Sequence, residues 1–249
     1  MNEILKKYEN FLQNIPLEKH ASLRKIKTVE KDLVGDLNPT SLLEQCFFAK
    51  HEWVNFEEFY ERYRNQYLEQ LKDFRSAHYA KLTWDRFWQG LKARLWRIYV
   101  GFLTEYHAYY MAMNTFGGSN VRRGADLDKK GVDFQILHGG ITYNIHVFVD
   151  SERAWKFRLQ KLREKGSDQT QGIHVNLPYT LREGKISSVR FLPNGFGVYT
   201  SDYFTYLKKE IETGNLKRNW EKGLRVVGTG REGFIYRKTT ANVTPHELK

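Results

Sequence analysis

Asp133 and His146 are the side chains whose types and spacing best suit chemistry, an acid and an imidazole within the segment LDKKGVDFQILHGGITYNIHVFVD at residues 127–150. Residues 132–137 alternate apolar and polar, residues 141–149 do the same, and Gly139-Gly140 supplies the positive φ angles of a two-residue hairpin turn. That turn pairs Phe134 with Ile145 and sets Asp133 across from His146, on one sheet face, with β-carbons about 5 Å apart. Val132, Phe134, Ile145, Val147 and Val149 cannot all share that face, so it is the one left for polar work. An acid facing an imidazole serves either a small metal site or an acid/base pair. The same pattern also describes a half-exposed hairpin whose polar face meets solvent. Asp128, Asp150 and Glu152 are further oxygen donors nearby. Asp150 shares parity with His146, but four strand residues separate the two by about 13 Å.

The flanking segments must position this pair. Residues 117–131 (GGSNVRRGADLDKKG) read as a glycine-rich loop that brings Arg122, Arg123, Lys129 and Lys130 beside two aspartates. Ser151 is placed to cap a helix to about residue 165, with Arg153, Lys156 and Gln160 on one face and Trp155, Leu159 and Leu162 on another. Upstream, residues 56–74 carry Phe59, Tyr60, Tyr63, Tyr67 and Leu71 at helical spacing. Thr83 is the N-cap of a longer helix over 84–113. Its stripe Phe87, Leu91, Leu95, Ile98, Phe102 and Tyr106 is core packing, not a base-stacking platform. Lys92, Arg94 and Glu105 lie opposite and read as a solvated face, with a place facing a site at the hairpin as the alternative for Glu105. Downstream, strands are expected at 172–178 and 195–200, a helix at 202–213, and a final hairpin within 224–238 around Arg231-Glu232-Gly233.

This succession predicts a mixed α/β (α+β) fold, a central mixed sheet with flanking helices. One domain over 1–249 is expected: a mainly helical part (1–116), a sheet core that holds the site (117–213) and a basic C-terminal extension (214–249). The 40 Lys and Arg against 29 Asp and Glu give a formal charge of +11, which favours a polyanionic partner, nucleic acid first. A membrane surface would need a basic amphipathic anchor or a lipidation signal, and MNEILKKYENFLQ supplies neither. No apolar run approaches the roughly 18 residues of a membrane span, and no leader pattern is present, so a cytoplasmic protein is expected. The lone Cys46 excludes an intramolecular disulfide and a Cys-rich zinc site. Among the histidines, His107 reads as packed core, His138 as solvated beside the turn, and His174 as a strand residue of either facing. Gly228-Thr229-Gly230 is too short for a phosphate-binding loop.

The charge, the mixed sheet and an acid on a central hairpin together suggest the nucleases whose signature is an acid, a spacer, then acid-x-lysine on the next strand. At a finer level the chain resembles the TaqI family of type II restriction endonucleases. The resemblance is carried by IKTVEKDLVGDLNP (26–39), LKARLWR (91–97), LDKKGVDF (127–134), the strand at 143–149 and LPNGFGVYT (192–200), and it spans most of 26–213. It implies a restriction-endonuclease-like fold and a DNA-cutting enzyme of a restriction-modification system. Such an enzyme would act as a homodimer on a short palindrome in double-stranded DNA, using Mg²⁺ with Mn²⁺ as a substitute. Asp128 and Asp133 would hold the metal with His146 as a third ligand. Arg122, Arg123, Lys129, Lys130 and Arg231 would contact DNA.

One departure matters. Where the family's second strand ends in Gln-x-Lys, this chain has His146-Val147-Phe148, and Phe148 cannot supply a cation. Either Lys156 or Arg153 on the following helix has taken over the lysine's duty beside Asp133 and His146, or the protein binds DNA through an inactive nuclease site. A third reading makes His146 the general base, since imidazole titrates near neutral pH.

Overall fold

The computed structural model describes residues 3–50, 52–164, 171–180, 189–229 and 233–238. They form α1 (Glu3–Gln13), α2 (Pro39–Glu44), α3 (Phe56–Gln66), α4 (Leu68–Tyr79) and α5 (Trp84–Phe116), then β1 (Val121–Arg122), α6 (Ala125–Lys129), β2 (Phe134–His138), β3 (Ile141–Val149), α7 (Glu152–Glu164) and β4 (Ile173–Tyr179). After these come β5 (Val189–Phe191), β6 (Gly197–Tyr199), α8 (Ser201–Glu212), α9 (Asn215–Glu221), β7 (Leu224–Thr229) and β8 (Phe234–Lys238). The architecture is mixed α/β, a helical N-terminal half followed by a four-stranded mixed sheet with flanking helices. Among the described residues, no helix is long and apolar enough to cross a membrane. The chain divides into two compact units, Phe11–Leu103 and Met1–Asn10 with Thr104–Lys249.

In the first unit, side-chain caps start the helices. Asn38 Oδ1 accepts from Thr40 N at 3.1 Å ahead of α2, and Asn55 Oδ1 accepts from Glu58 N at 3.0 Å ahead of α3. Thr83 caps α5, accepting from Arg86 N at 3.4 Å. The single helix expected over 56–74 is instead α3 and α4, because Tyr67 leaves helical geometry (φ −114°, ψ 23°). No glycine or proline marks that break. Buried aromatics fill the unit: Phe56 meets Trp96 edge-on at 4.8 Å, and the Tyr99 hydroxyl donates to Val54 O at 2.8 Å. Lys92 and Arg94, read as a solvated face, are tied down by Glu57 at 2.6 Å and Asp32 at 2.8 Å.

In the second unit, α5 runs on to Phe116 and stops at Gly117, whose φ of 85° suits glycine. The stretch read as a plain loop over 117–131 folds into β1 and α6, since burying Leu127 rewards a turn of helix there. The sheet order is β1-β2-β3-β4, with β1–β2–β3 antiparallel and β3–β4 parallel. Gly139 and Gly140 have φ of 56° and 73°, and Phe134 pairs with Ile145, the register that the alternation predicts. Ser151 Oγ accepts from Ala154 N at 3.3 Å and so starts α7, the crossover between the parallel strands.

Strand alternation then sorts the sheet residues. Val121, Phe134, Ile136, Tyr143, Ile145, Ile173, Val175 and Leu177 fall on one face, all buried, with Tyr109 of α5 against Phe134 at 6.1 Å. Gln135, Asn144, His146, His174 and Asn176 fall on the other. That second face is polar, as expected, but it is not solvated: Gln135, Asn144, His146 and Asn176 are buried.

Candidate active site

Asp133 immediately precedes β2. Its N–H donates to Ile145 O at 3.0 Å and its Oδ2 accepts from Val147 N at 2.5 Å, so backbone and side chain are both fastened to β3. Burial pushes its carboxyl up to about 6; the Val147 N–H, Arg123 and Arg158 oppose this, while Asp128 adds to it. Asp128 sits on α6, where Gly131 (φ 72°) donates to its carbonyl at 2.7 Å and Val132 N to Leu127 O at 3.0 Å. This turn delivers the chain from one acid to the other within five residues.

Arg123 closes the back of the site. Its side chain is 2% exposed, one nitrogen lying 2.5 Å from Glu105 Oε1 and the other donating to Asp133 O at 3.3 Å. The guanidinium also lies over the Tyr106 ring at 5.3 Å. Glu105 therefore does not belong to a solvated face: it neutralises Arg123 from α5. Arg122, by contrast, is exposed and pairs with Asp126 at 2.5 Å. Lys130 is exposed as well, the side chain of Lys129 is not among those described, and Arg231 lies outside the described residues.

His146 is 3% exposed, and its Nε2 stands 2.8 Å from Nδ1 of His174 on β4. The two rings are stacked (5.1 Å, 5° between planes), and His174 in turn stacks on Trp220 of α9 at 5.6 Å. One N–H lies between the two nitrogens, so each ring fixes the tautomer of the other. Beside them Asn144 accepts from Gln135 Nε2 at 2.8 Å and donates to Gln171 O at 3.2 Å. His107 is core as expected, with Nε2 3.1 Å from Glu9 Oε1.

On α7, Arg153 is exposed, and Lys156 is 67% exposed with its Nζ 2.6 Å from Glu152. The opposite side of that helix faces the sheet. Trp155 donates from Nε1 to Asp150 Oδ1 at 2.9 Å, and Phe148 meets its ring edge-on at 4.8 Å. Arg158, one turn on, donates from Nε to Asn176 Oδ1 at 3.3 Å. Burial draws its guanidinium down to about 10, partly offset by the charge of Asp133. Sequence reasoning passed over Arg158. The available signal was a charged residue three places after Trp155, on the helix's buried stripe.

Among the described residues, no group of three or more His, Cys, Asp and Glu could hold a metal ion. Asp128 and Asp133 offer hard oxygen donors, and His146, a nitrogen donor, lies on the sheet face that Asp133 borders.

The model of the TaqI restriction endonuclease family matches residues 5–190. The chain belongs to that family. The type II restriction enzyme TthHB8I of Thermus thermophilus is 26% identical over 262 residues, covering 92% of this chain and 97% of that enzyme. The type II restriction enzyme TaqI of Thermus aquaticus is 28% identical over 183 residues, 72% of this chain and 68% of its own. No solved structure matches significantly. In this TaqI-family chain the matched segment takes in both acids, the histidine pair and Arg158, and ends inside β5.

Proposed function

We propose that this TaqI-family protein is a type II restriction endonuclease that hydrolyses phosphodiester bonds at a short palindrome in double-stranded DNA, with Mg²⁺, or Mn²⁺ in its place. The observation that carries the reading is Asp133, a buried carboxylate fastened to β3 by Val147 N, with Asp128 five residues before it on α6. Two carboxylates fit Mg²⁺, which binds through one or two of them and fills its remaining positions with water and phosphate. Asp128 and Asp133 would hold the ion, and a cation there compensates a carboxylate that burial otherwise disfavours. When bound, the ion supplies positive charge at the scissile phosphate and acidifies water.

The chain's own residues do the rest. His146 offers nitrogen, which Mg²⁺ prefers less than oxygen, and its ring is oriented by His174, so it acts as the general base. The oxygen of a water molecule bonds to phosphorus, the water's proton passes to His146, and the bond to the leaving sugar oxygen breaks as that oxygen gains a proton from solvent. Arg122 and Lys130 on the exposed approach, with Lys129 and Arg231, supply phosphate contacts. Arg123 serves from inside, holding the carbonyl of Asp133. A palindromic target calls for two symmetry-related sites, hence a homodimer.

Incubation of the protein with plasmid DNA, with and without Mg²⁺, tests this. Discrete fragments with the metal support it. Retarded but intact DNA overturns it in favour of a DNA-binding protein with an inactive site, the reading suggested by the apolar Phe148 packed on Trp155.

A further inference from the structure

We infer that Arg158 is a catalytic residue of this site, its guanidinium donating to a non-bridging oxygen of the scissile phosphate. The inference rests on the endonuclease reading and adds the cation which that reading lacks on β3.

The placement of Arg158 follows from how α7 is seated. Ser151 fixes where the helix starts, and Trp155 pins its first turn through Asp150 and the Phe148 ring. A residue three places on returns to the same side of a helix, so Arg158 also faces the sheet. There its Nε is held by Asn176, a residue 4% exposed that pairs with His146 across the parallel strands. The guanidinium is thus fixed beside the strand position of the proposed base.

Its donors are unevenly used. Nε has a partner, but Nη2 is buried with no hydrogen-bond partner among the described residues. A planar guanidinium held at one edge with an unfilled donor at another is built to receive an anionic oxygen, and phosphate suits its fork. Lys156, on the solvent side of α7, is committed to Glu152. The strand position that lacks a cation is itself part of the device, because the Phe148 ring seats the helix that brings Arg158 in. As water adds to phosphorus, charge grows on the non-bridging oxygens, and a preset donor stabilises that state more than the substrate. Arg158 stays protonated throughout, and forms and breaks no covalent bond.

The test uses the full-length protein with a cleavable duplex, reading single-turnover rate in Mg²⁺, duplex affinity in Ca²⁺ and thermal midpoint. Arg158→Met, of similar volume but uncharged, should slow cleavage by about 10² to 10³, with affinity within about threefold. Arg158→Lys should keep more than about a tenth of the parental rate, and added guanidinium ion should raise the rate of Arg158→Ala at least about tenfold. Parental cleavage by Arg158→Met overturns the inference, and so does a joint fall in rate and affinity that guanidinium does not repair. If the parental protein itself cuts nothing, the endonuclease reading fails and the inference with it; that outcome shows in the parental lane, separately from any variant.

Discussion

The two faces of the β1–β4 sheet are made by the same strands, and both are largely buried, yet they hold opposite chemistries. One face is Phe134, Ile136, Tyr143, Ile145, Val175 and Leu177; the other is Gln135, Asn144, His146 and Asn176, with Asp133 at its edge. Burying apolar area stabilises at about 25 cal/mol per Å² and asks nothing of geometry. Burying amides and imidazoles costs stability unless each group finds a partner. The polar face meets that requirement in large part by pairing Gln135 with Asn144, His146 with His174 and Asn176 with Arg158, whose Nη2 is left without a hydrogen-bond partner among the described residues. A fold needs the first face in order to exist. The second holds acid, amide and imidazole groups, the chemistry that the proposed endonuclease function would draw on.

Substitutions on the two faces should therefore separate activity from stability. A large effect belongs to the polar face: His146→Ala should lower the single-turnover rate at least about 10²-fold. On the apolar face, Ile145→Ala should cost about 2–5 kcal/mol of stability in denaturant titration, with the rate per folded molecule unchanged. Asp133→Asn is the third contrast, read without metal. The folded-state pKa of Asp133 is raised to about 6 from 3.8, so the native state holds the proton more tightly than the unfolded chain. The parental protein is favoured below the unfolded value and loses that stability as pH rises through about 6. Asn, which does not titrate, should melt above the parental protein at pH 8, and the gap should shrink steadily towards pH 4; equal gaps at both pH values would contradict the burial of this carboxyl. The smallest effect is expected outside both faces. Lys156→Ala removes an exposed ion pair worth about 0–1 kcal/mol and should leave cleavage within about twofold, while the salt dependence of DNA binding falls by no more than about one unit.

The hairpin was legible because period-two alternation and Gly139-Gly140 together leave one register, and the caps at Thr83 and Ser151 were legible from hydroxyls ahead of helical patterns. The break at Tyr67 was not, since no residue there disfavours helix; β5 and α9 were too short to show a period. Asp133 and His146 stood out because one local hairpin sets them across from each other. Arg158 did not: its partner Asn176 lies on β4, beyond the reach of any local pattern, and although its spacing from Trp155 puts it on the buried stripe, an arginine on a helix ordinarily reads as solvated. The same holds for Glu105, whose burial depends on Arg123 arriving from another element.

The most direct test of the account is cleavage and binding by Asp133→Ala, measured on the same duplex beside the parental protein. The account predicts no detectable cleavage in Mg²⁺, with duplex affinity in Ca²⁺ within about threefold of the parental value, because the residue holds a cation and does not set the register on DNA. Retained cleavage by that variant would contradict it and move the active site off this sheet edge.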